Sequence, residues 1–557
     1  MFSRRLAGVL AAVLFSVGLP AWAATIVGTV QSDGKPVTGA LVTVATADGL
    51  VSQTVYSDAS GAYRLSTNLD GKLTIRARAP MLADMTSRIA VPRSDAELRQ
   101  SFKMKPLVTP QEISDSLPAS AHFARIKFPT TMQQQQFQTD CLSCHQIGNP
   151  LTRRGPRSAE EWEAFTKMML RYTGYPTDAK LKEYAGALEK AFDGTPTPAP
   201  RPVTVDPESL TARIVEWKLP DAQIAHDTEF NPNDGLFYTT DQAIDHFYVT
   251  DPRTNKTTTV AIADNGVPVG GNFTENNLAV PFDLAVAHGV HSLQLGSDGL
   301  FYTTGAISGE IGVFDPVKHT YKSYRLGGTH LYPHTLRIDA RGIVWFSIHM
   351  SDQIGRFDPK TGKTTIIDLP KDMQMPDDRN TATYGVDVNP VDGSVWYSKL
   401  WANKIGRIDP DTFELVEYEP PVKGPRRIRF DDKGGLWVPG FGDGKISRLD
   451  TRTMKFEVWQ IPSLGEGQVE APYSLAVDPQ TQDVWITANQ SDRLFRFNYA
   501  TEHFTAFPLP TRGAYFRDMI FTGDGRVCGS SNPMPPMPDV IEGGMDSVVC
   551  LDPSGKL

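Results

Sequence analysis

Apolar and polar residues alternate in short runs along most of the chain, and from residue 210 onward the runs recur at a fixed period. A strand resembling Ile-Gly-Arg-Ile-Asp-Pro comes back seven times, at 246–252, 311–316, 354–359, 405–410, 446–450, 494–498 and 548–553. An earlier strand pair precedes it, as in Asp298-Gly-Leu-Phe-Tyr-Thr, Gly342-Ile-Val-Trp345-Phe-Ser, Gly393-Ser-Val-Trp396-Tyr-Ser, Gly434-Gly-Leu-Trp437 and Asp483-Val-Trp485. Where loops are short the period is 41 to 51 residues. Four short strands per unit at this spacing predict a seven-bladed β-propeller over 210–557. A further strand, with Trp two places before Leu-Pro, also occurs seven times. Its first copy, Ile214-Val-Glu-Trp217-Lys-Leu-Pro220, precedes the first full blade, and the last blade lacks one. The strand at 214–219 is therefore expected to complete the last blade and protect its edge.

The N-terminal part has the same period-two alternation without the repeat. Ile26-Val-Gly-Thr-Val30 and Ala40-Leu-Val-Thr-Val-Ala45 read as strands, with further strands at 63–66 and 73–77. Asp33-Gly34 and Asp58-Ala-Ser-Gly61 supply turns. These runs predict a β-sandwich over 25–105. Between the β regions the period changes to that of helices. Ser158-Ala-Glu-Glu161 is a capping box, and Trp162, Phe165 and Met169 follow on one face. A second helix is expected from about Thr177 or Asp178, with Leu181, Tyr184 and Leu188 in a stripe. Residues 118–193 thus form a small helical unit, and the proline-rich stretch 194–209 reads as a semi-rigid linker. The fold class is mainly β, with a small α-helical unit between sandwich and propeller.

That helical unit carries Cys141-Leu-Ser-Cys144-His145. Two thiols at this spacing with an adjacent imidazole match the attachment site of a c-type haem, each cysteine adding to a vinyl group and the histidine ligating iron. A redox disulfide or half of a zinc site could use the same pair. Zinc would need two more ligands, and 106–209 offers only His122 and no other cysteine. Residues 1–23 hold Arg4 and Arg5, an apolar stretch and Ala21-Trp22-Ala23, the layout of a secretory signal. Export to a periplasm agrees with covalent haem, and no later run is long enough to cross a bilayer. Losing that signal leaves 53 basic against 64 acidic residues, a formal charge of −11. Nucleic acid and anionic membrane surfaces are excluded as partners on that balance. The two remaining cysteines, Cys528 and Cys550, are expected to pair in an oxidising compartment, the alternative being two buried thiols.

Three resemblances follow. Gly28-Thr-Val30, Pro36-Val-Thr-Gly39-Ala40 and Ser57-Asp58-Ala-Ser-Gly61-Ala-Tyr63 resemble the carboxypeptidase regulatory-like β-sandwich, which implies a spacer or adhesion unit. The helical unit resembles a small mono-haem cytochrome c. That implies a methionine as second axial ligand, Met169 or its neighbour Met168, with His122 as the bis-histidine alternative. Over 210–557, Trp345-Phe-Ser followed by Ile354-Gly-Arg-Phe-Asp-Pro359 resembles the virginiamycin B (streptogramin) lyase family. In that family a Glu-Pro-His-Gly segment and a glutamate after a Trp-Phe strand work with a divalent cation. Here the matching residues are Tyr332-Pro-His334-Thr335 and His349. The base is kept as His334 and both carboxylates are gone, which speaks against magnesium and a C–O elimination.

Each blade has a residue just before its innermost strand. In blade order we read His226, His291, His334, Gly385, Arg427, Ser474 and Arg517, with His349, Lys399, Tyr332 and Tyr384 beside them. Three imidazoles on one ring suit a second transition metal, and Arg427, Arg517 and Lys399 suit an anionic ligand. Hydrogen bonding between blades is the bland alternative. Three functions remain in view. The first is haem electron transfer with a small periplasmic redox protein, coupled to a small-molecule substrate at the channel mouth, as in periplasmic dehydrogenases that pair a propeller with a cytochrome c. The second is a lyase with His334 as base, and the third a non-catalytic binding scaffold.

Overall fold

The computed structural model describes residues 23–170, 177–200, 205–372, 381–534 and 544–556; residues 1–22 of the expected signal and residues 201–204 of the expected linker lie outside them. The N-terminal unit is a β-sandwich. One sheet forms around Ala24–Ser32, which pairs with Lys35–Pro36, Ala62–Thr67, Glu97–Arg99 and Phe102–Met104. The other sheet runs Val51–Tyr56, Leu41–Ala45, Gly71–Arg78 and Met85–Val91. Alternate residues face inward, so Ile26, Val42, Val44, Leu65 and Ile75 are fully buried between the sheets.

The C-terminal part is a ring of seven four-stranded antiparallel blades among the described residues. The first six start at Ala225–Asn231, Val290–Leu295, Pro333–Ile338, Thr383–Val388, Arg429–Phe430 and Leu475–Val477, their innermost strands. The seventh contains Ile520–Phe521, Val527–Ser531 and Ser547–Asp552, and takes its outer strand, Arg213–Lys218, from before the first blade. Cys528 and Cys550, register partners in this blade, are joined as a disulfide. The recurring glycine of the third strands has a steric cause. A Cβ on Gly355 would stand 2.0 Å from the Phe346 ring, and one on Gly406 2.1 Å from the Tyr397 ring.

The sandwich is continuous with the propeller, which the sequence pattern does not reveal. Val51–Tyr56 pairs antiparallel with Arg213–Lys218, so a sandwich sheet extends the seventh blade into one eight-stranded sheet. The exposed edge of the closing strand is thereby covered. Trp217, Leu219, Phe237, Cys528 and Cys550 join the sandwich residues in one apolar core.

The helical unit comprises Pro110–Ser116, Ala119–Phe123, Thr131–Cys141, Ala159–Leu170 and Asp178–Ala191. The capping box forms as expected, with Glu161 N–H donating to Ser158 Oγ and Ser158 N–H to Glu161 Oε2. The linker does not hold the unit away from the ring. Thr197 is buried against the helical unit, and its N–H donates to Ser114 Oγ. The unit sits on the propeller itself. Phe123, Phe137, Trp162, Leu181 and Tyr184 share a core with Tyr384, Leu400, Phe441, Tyr473 and Tyr515 of blades four to seven. Among the described residues no helix is long and apolar enough to cross a membrane.

Candidate functional site

The channel mouth is built by a repeated irregularity. In blades one to four the innermost strand slips register after Ala225, Val290, Pro333 and Thr383, two residues bulging in each. Bulges re-aim side chains, and the first bulged residue of each points to the mouth: His226, His291, His334 and Tyr384. In blades one to four and in blade seven a hydroxyl on the second strand then ties down the neighbouring blade. Thr240 donates to the His291 carbonyl (2.9 Å), Thr304 to His334 (2.7 Å), Ser347 to Tyr384 (2.6 Å) and Ser398 to Arg426 (2.5 Å), while Ser530 closes the circle onto His226.

The mouth ring is therefore His226, His291, His334, Tyr384, Arg426, Tyr473 and Arg517, all lining one small cavity of about 70 Å³. The expected ring was displaced by one residue in blades four, five and six, where Gly385, Arg427 and Ser474 lie one level deeper. Aligning the residues that resume each strand, Thr228 and the apolar Leu293, Leu336, Val386, Ile428, Leu475 and Met519, would have put Tyr384, Arg426 and Tyr473 on the ring.

The deeper level is charge-paired. Arg427 Nη1 lies 2.8 Å from both Asp227 and Asp518, and Arg429 also holds Asp518 at 2.6 Å. Arg427 is thus committed inside the ring and is not an anion ligand at the mouth. Lys399 is likewise removed. It is fully buried, 2.5 Å from Glu417, and donates to the Pro370 carbonyl. Tyr332 and His349 do reach the mouth. The Tyr332 hydroxyl accepts from the Gln242 amide, and His349 Nδ1 donates to the Thr383 carbonyl at 3.3 Å, which leaves Nε2 as an acceptor.

The imidazoles crowd together, with His226 and His291 centroids 3.6 Å apart and His291 and His334 4.0 Å apart. Burial holds all three well below the ordinary histidine range; neighbouring Arg427 adds to this for each. All three are therefore neutral at pH 7. Ligating atoms of His226, Asp227 and His291 lie within 4.8 Å of one another, and His334 stands outside that group. The donor set does not fit a cation. Asp227 is already neutralised by Arg427, and Arg426 and Arg517 stand on the same ring. The expected second metal is not supported at this ring.

Against the mouth lies a larger, almost wholly apolar cavity of about 440 Å³. Its walls include Cys141, Cys144, His145, Phe137, Trp162, Phe165, Met168, Met169 and Leu188. Both cysteines are free thiols, whose acidity burial suppresses. His145 Nδ1 donates to the Gln146 carbonyl at 2.9 Å, so the lone pair of Nε2 is available to a metal. Phe165 and Met169 are not packed into a closed core. Each remains more than a third exposed, because the helix face they share forms cavity wall. His122 is excluded as a ligand. It is buried away from the cavity, with Nε2 3.0 Å from the Ser114 carbonyl and Nδ1 2.8 Å from Thr197 Oγ1. Burial, then Arg153, pushes it down to about 3. The two cavities adjoin, sharing Cys144, Phe282 and Met534 as wall. Arg517 donates to the carbonyls of Ser143 (3.1 Å) and Cys144 (3.0 Å), fastening the cysteine loop to the mouth.

Residues 25–105 match the carboxypeptidase regulatory-like domain family. No curated protein matches the chain. Among solved structures, virginiamycin B lyase from Staphylococcus aureus is similar at 18% identity, over 61% of this chain and 99% of that one, with a TM-score of 0.48. A streptogramin B lyase is similar at 19% identity, over 61% and 97% of the two chains, also with a TM-score of 0.48.

Proposed function

We propose that this is an exported c-type haem protein that transfers electrons between a small periplasmic redox partner and a ligand or substrate held at the propeller mouth. The reading rests on one observation above all: the Cys-x-x-Cys-His loop lines an apolar cavity that shares walls with a ring of histidine, tyrosine and arginine side chains. A cavity of about 440 Å³ is of the size and apolar character that cofactors occupy. Cys141 and Cys144 would form the thioether links, His145 Nε2 would be one axial ligand, and Met169 or Met168 the other. The haem, when bound, supplies a one-electron redox centre whose potential responds to burial and axial ligation.

The chain's own groups then divide the work. Arg517 holds the cysteine loop in register with the mouth. His226, His291 and His334, kept neutral by burial, can accept a proton from a ligand or relay one. Phe282 and Met534 line both cavities and form part of their shared wall. The sandwich braces the seventh blade. The test is turnover by haem-loaded protein with and without an artificial electron acceptor. Turnover that needs the acceptor supports the proposal. Redox-neutral cleavage that depends on His334 would favour the lyase reading, and haem reduction without any turnover would leave a carrier or scaffold.

A further inference from the structure

The mouth is richer in buried donors than its own hydrogen bonds use. Arg426 is 2% exposed, and its Nε and Nη1 have no hydrogen-bond partner among the described residues. Its Nη2 alone is engaged, donating to the Tyr384 hydroxyl at 2.7 Å. The guanidinium lies between aromatic faces, 3.9 Å from the Tyr473 centroid, 4.1 Å from Phe441 and 4.4 Å from Tyr384. Arg517, 3% exposed, leaves Nε without a partner, as do Trp401 at Nε1 and His291 at Nδ1. All four residues line the same cavity, and among the described residues no aspartate or glutamate lines it with them. The buried carboxylates of the deeper level, Asp227 and Asp518, are taken by Arg427 and Arg429. Unpaired buried charges are strongly unfavourable, so two guanidiniums without a carboxylate call for an anion.

The shape restricts that anion. The cavity is about 70 Å³, room for a group of a few heavy atoms. One Nη2 hydrogen of Arg426 serves Tyr384; the other still pairs with the free Nε–H on one edge of the planar guanidinium or with the free Nη1–H on the other, so one two-donor edge remains for two coplanar oxygens. We infer that the mouth ring binds a small planar oxyanion or the carboxylate of a small acid, with Arg426 as its forked partner and Arg517, Trp401 and the neutral imidazoles completing the shell. This assigns a chemical class to the mouth ligand and rests on the reading of the mouth as a ligand site, but binding itself does not require the haem.

The full-length chain, in a buffer of low anion content, is titrated with formate, acetate, chloride and sulfate by calorimetry, with haem content measured on the same preparation. Saturable binding of formate or acetate at one per chain, tighter than chloride or sulfate, is the expected result. Formate alone binding would identify a small free oxyanion as the ligand. Acetate binding as well would identify the carboxylate of a small acid. Arg426→Gln should weaken binding roughly tenfold to a hundredfold. Trp401→Phe, which keeps the ring and removes one donor, should weaken it several-fold if the first variant fails to fold. Absence of saturable binding, or chloride binding as tightly as formate, would overturn the inference. Haem-loaded protein that ignores formate would remove this site and leave electron transfer standing; haem-free protein that binds it would do the reverse.

Discussion

The helical unit is held to the propeller by a few buried polar clamps, and Gln490 is the one whose removal is easiest to read. Its side chain is fully buried in blade six. Oε1 accepts from the Ile147 N–H and Nε2 donates to the Ile147 carbonyl, both at 3.1 Å, two residues past His145. Gln490→Ala would leave both backbone groups buried without partners. Each such group costs about 1–3 kcal/mol, so docking should weaken by roughly 2–6 kcal/mol. Gln138, Gln146, Tyr515 and Arg517 still bridge the interface. The expected outcome is therefore local opening, not loss of the fold. A loss of about 3 kcal/mol multiplies the open population by roughly a hundredfold. Native-state hydrogen exchange read by mass spectrometry should show faster exchange in peptides covering 131–147, with peptides from blades two and three unchanged. Equal protection of 131–147 in variant and parent would refute the reasoning.

Three further outcomes follow from the fold. Replacing Cys528 and Cys550 by serine opens a disulfide between residues 22 apart, and chain-entropy reasoning gives a loss of about 3 kcal/mol, read as a lower urea midpoint that reductant no longer affects. Gly355→Ala places a methyl 2.0 Å from the Phe346 ring, and a loss of about 1–3 kcal/mol should appear as a lower thermal midpoint. Asp546, fully buried where the last blade meets the first, accepts from the Ala225 N–H at 2.7 Å. Burial, assisted by Asp241, pushes its carboxyl up to about 7 from 3.8. The folded state therefore holds this proton more tightly than the unfolded one. The associated stability is full below about pH 4 and is lost as pH rises through 7. Unfolding of parent and Asp546→Asn at pH 5 and pH 8 should differ, the variant losing less on the alkaline side by up to about 3 kcal/mol.

Most of the architecture was legible because propeller repeats are written in the chain. The Ile-Gly-Arg and Trp strands recur since an aromatic ring covers each glycine, and the outer strand Arg213–Lys218 was missing from the last blade and present before the first. The site was legible to within one residue. Histidines announce a position by their rarity, but Arg426-Arg427 and Tyr473-Ser474 offer two candidates each, and only the folded path of the chain into the strand decides which faces the mouth. Lys399 and Arg427 were misread because sequence shows a charge and not its partner; Glu417 lies 18 residues from Lys399, and Asp518 lies 91 from Arg427. His122 was misread for the same reason, its partners being Ser114 and Thr197. The joining of sandwich to blade seven and the docking of the helical unit have no local signature, because both arise from edges and apolar faces meeting across hundreds of residues.

The most direct test is the intact mass and the alkaline pyridine spectrum of the full chain produced in a periplasm with cytochrome c maturation. One covalent haem per chain, lost from the Cys141→Ala, Cys144→Ala double variant and spectrally altered in His145→Ala, is the predicted result. An unmodified polypeptide mass with no haem absorbance, from cells that mature other c-type cytochromes, would contradict the account.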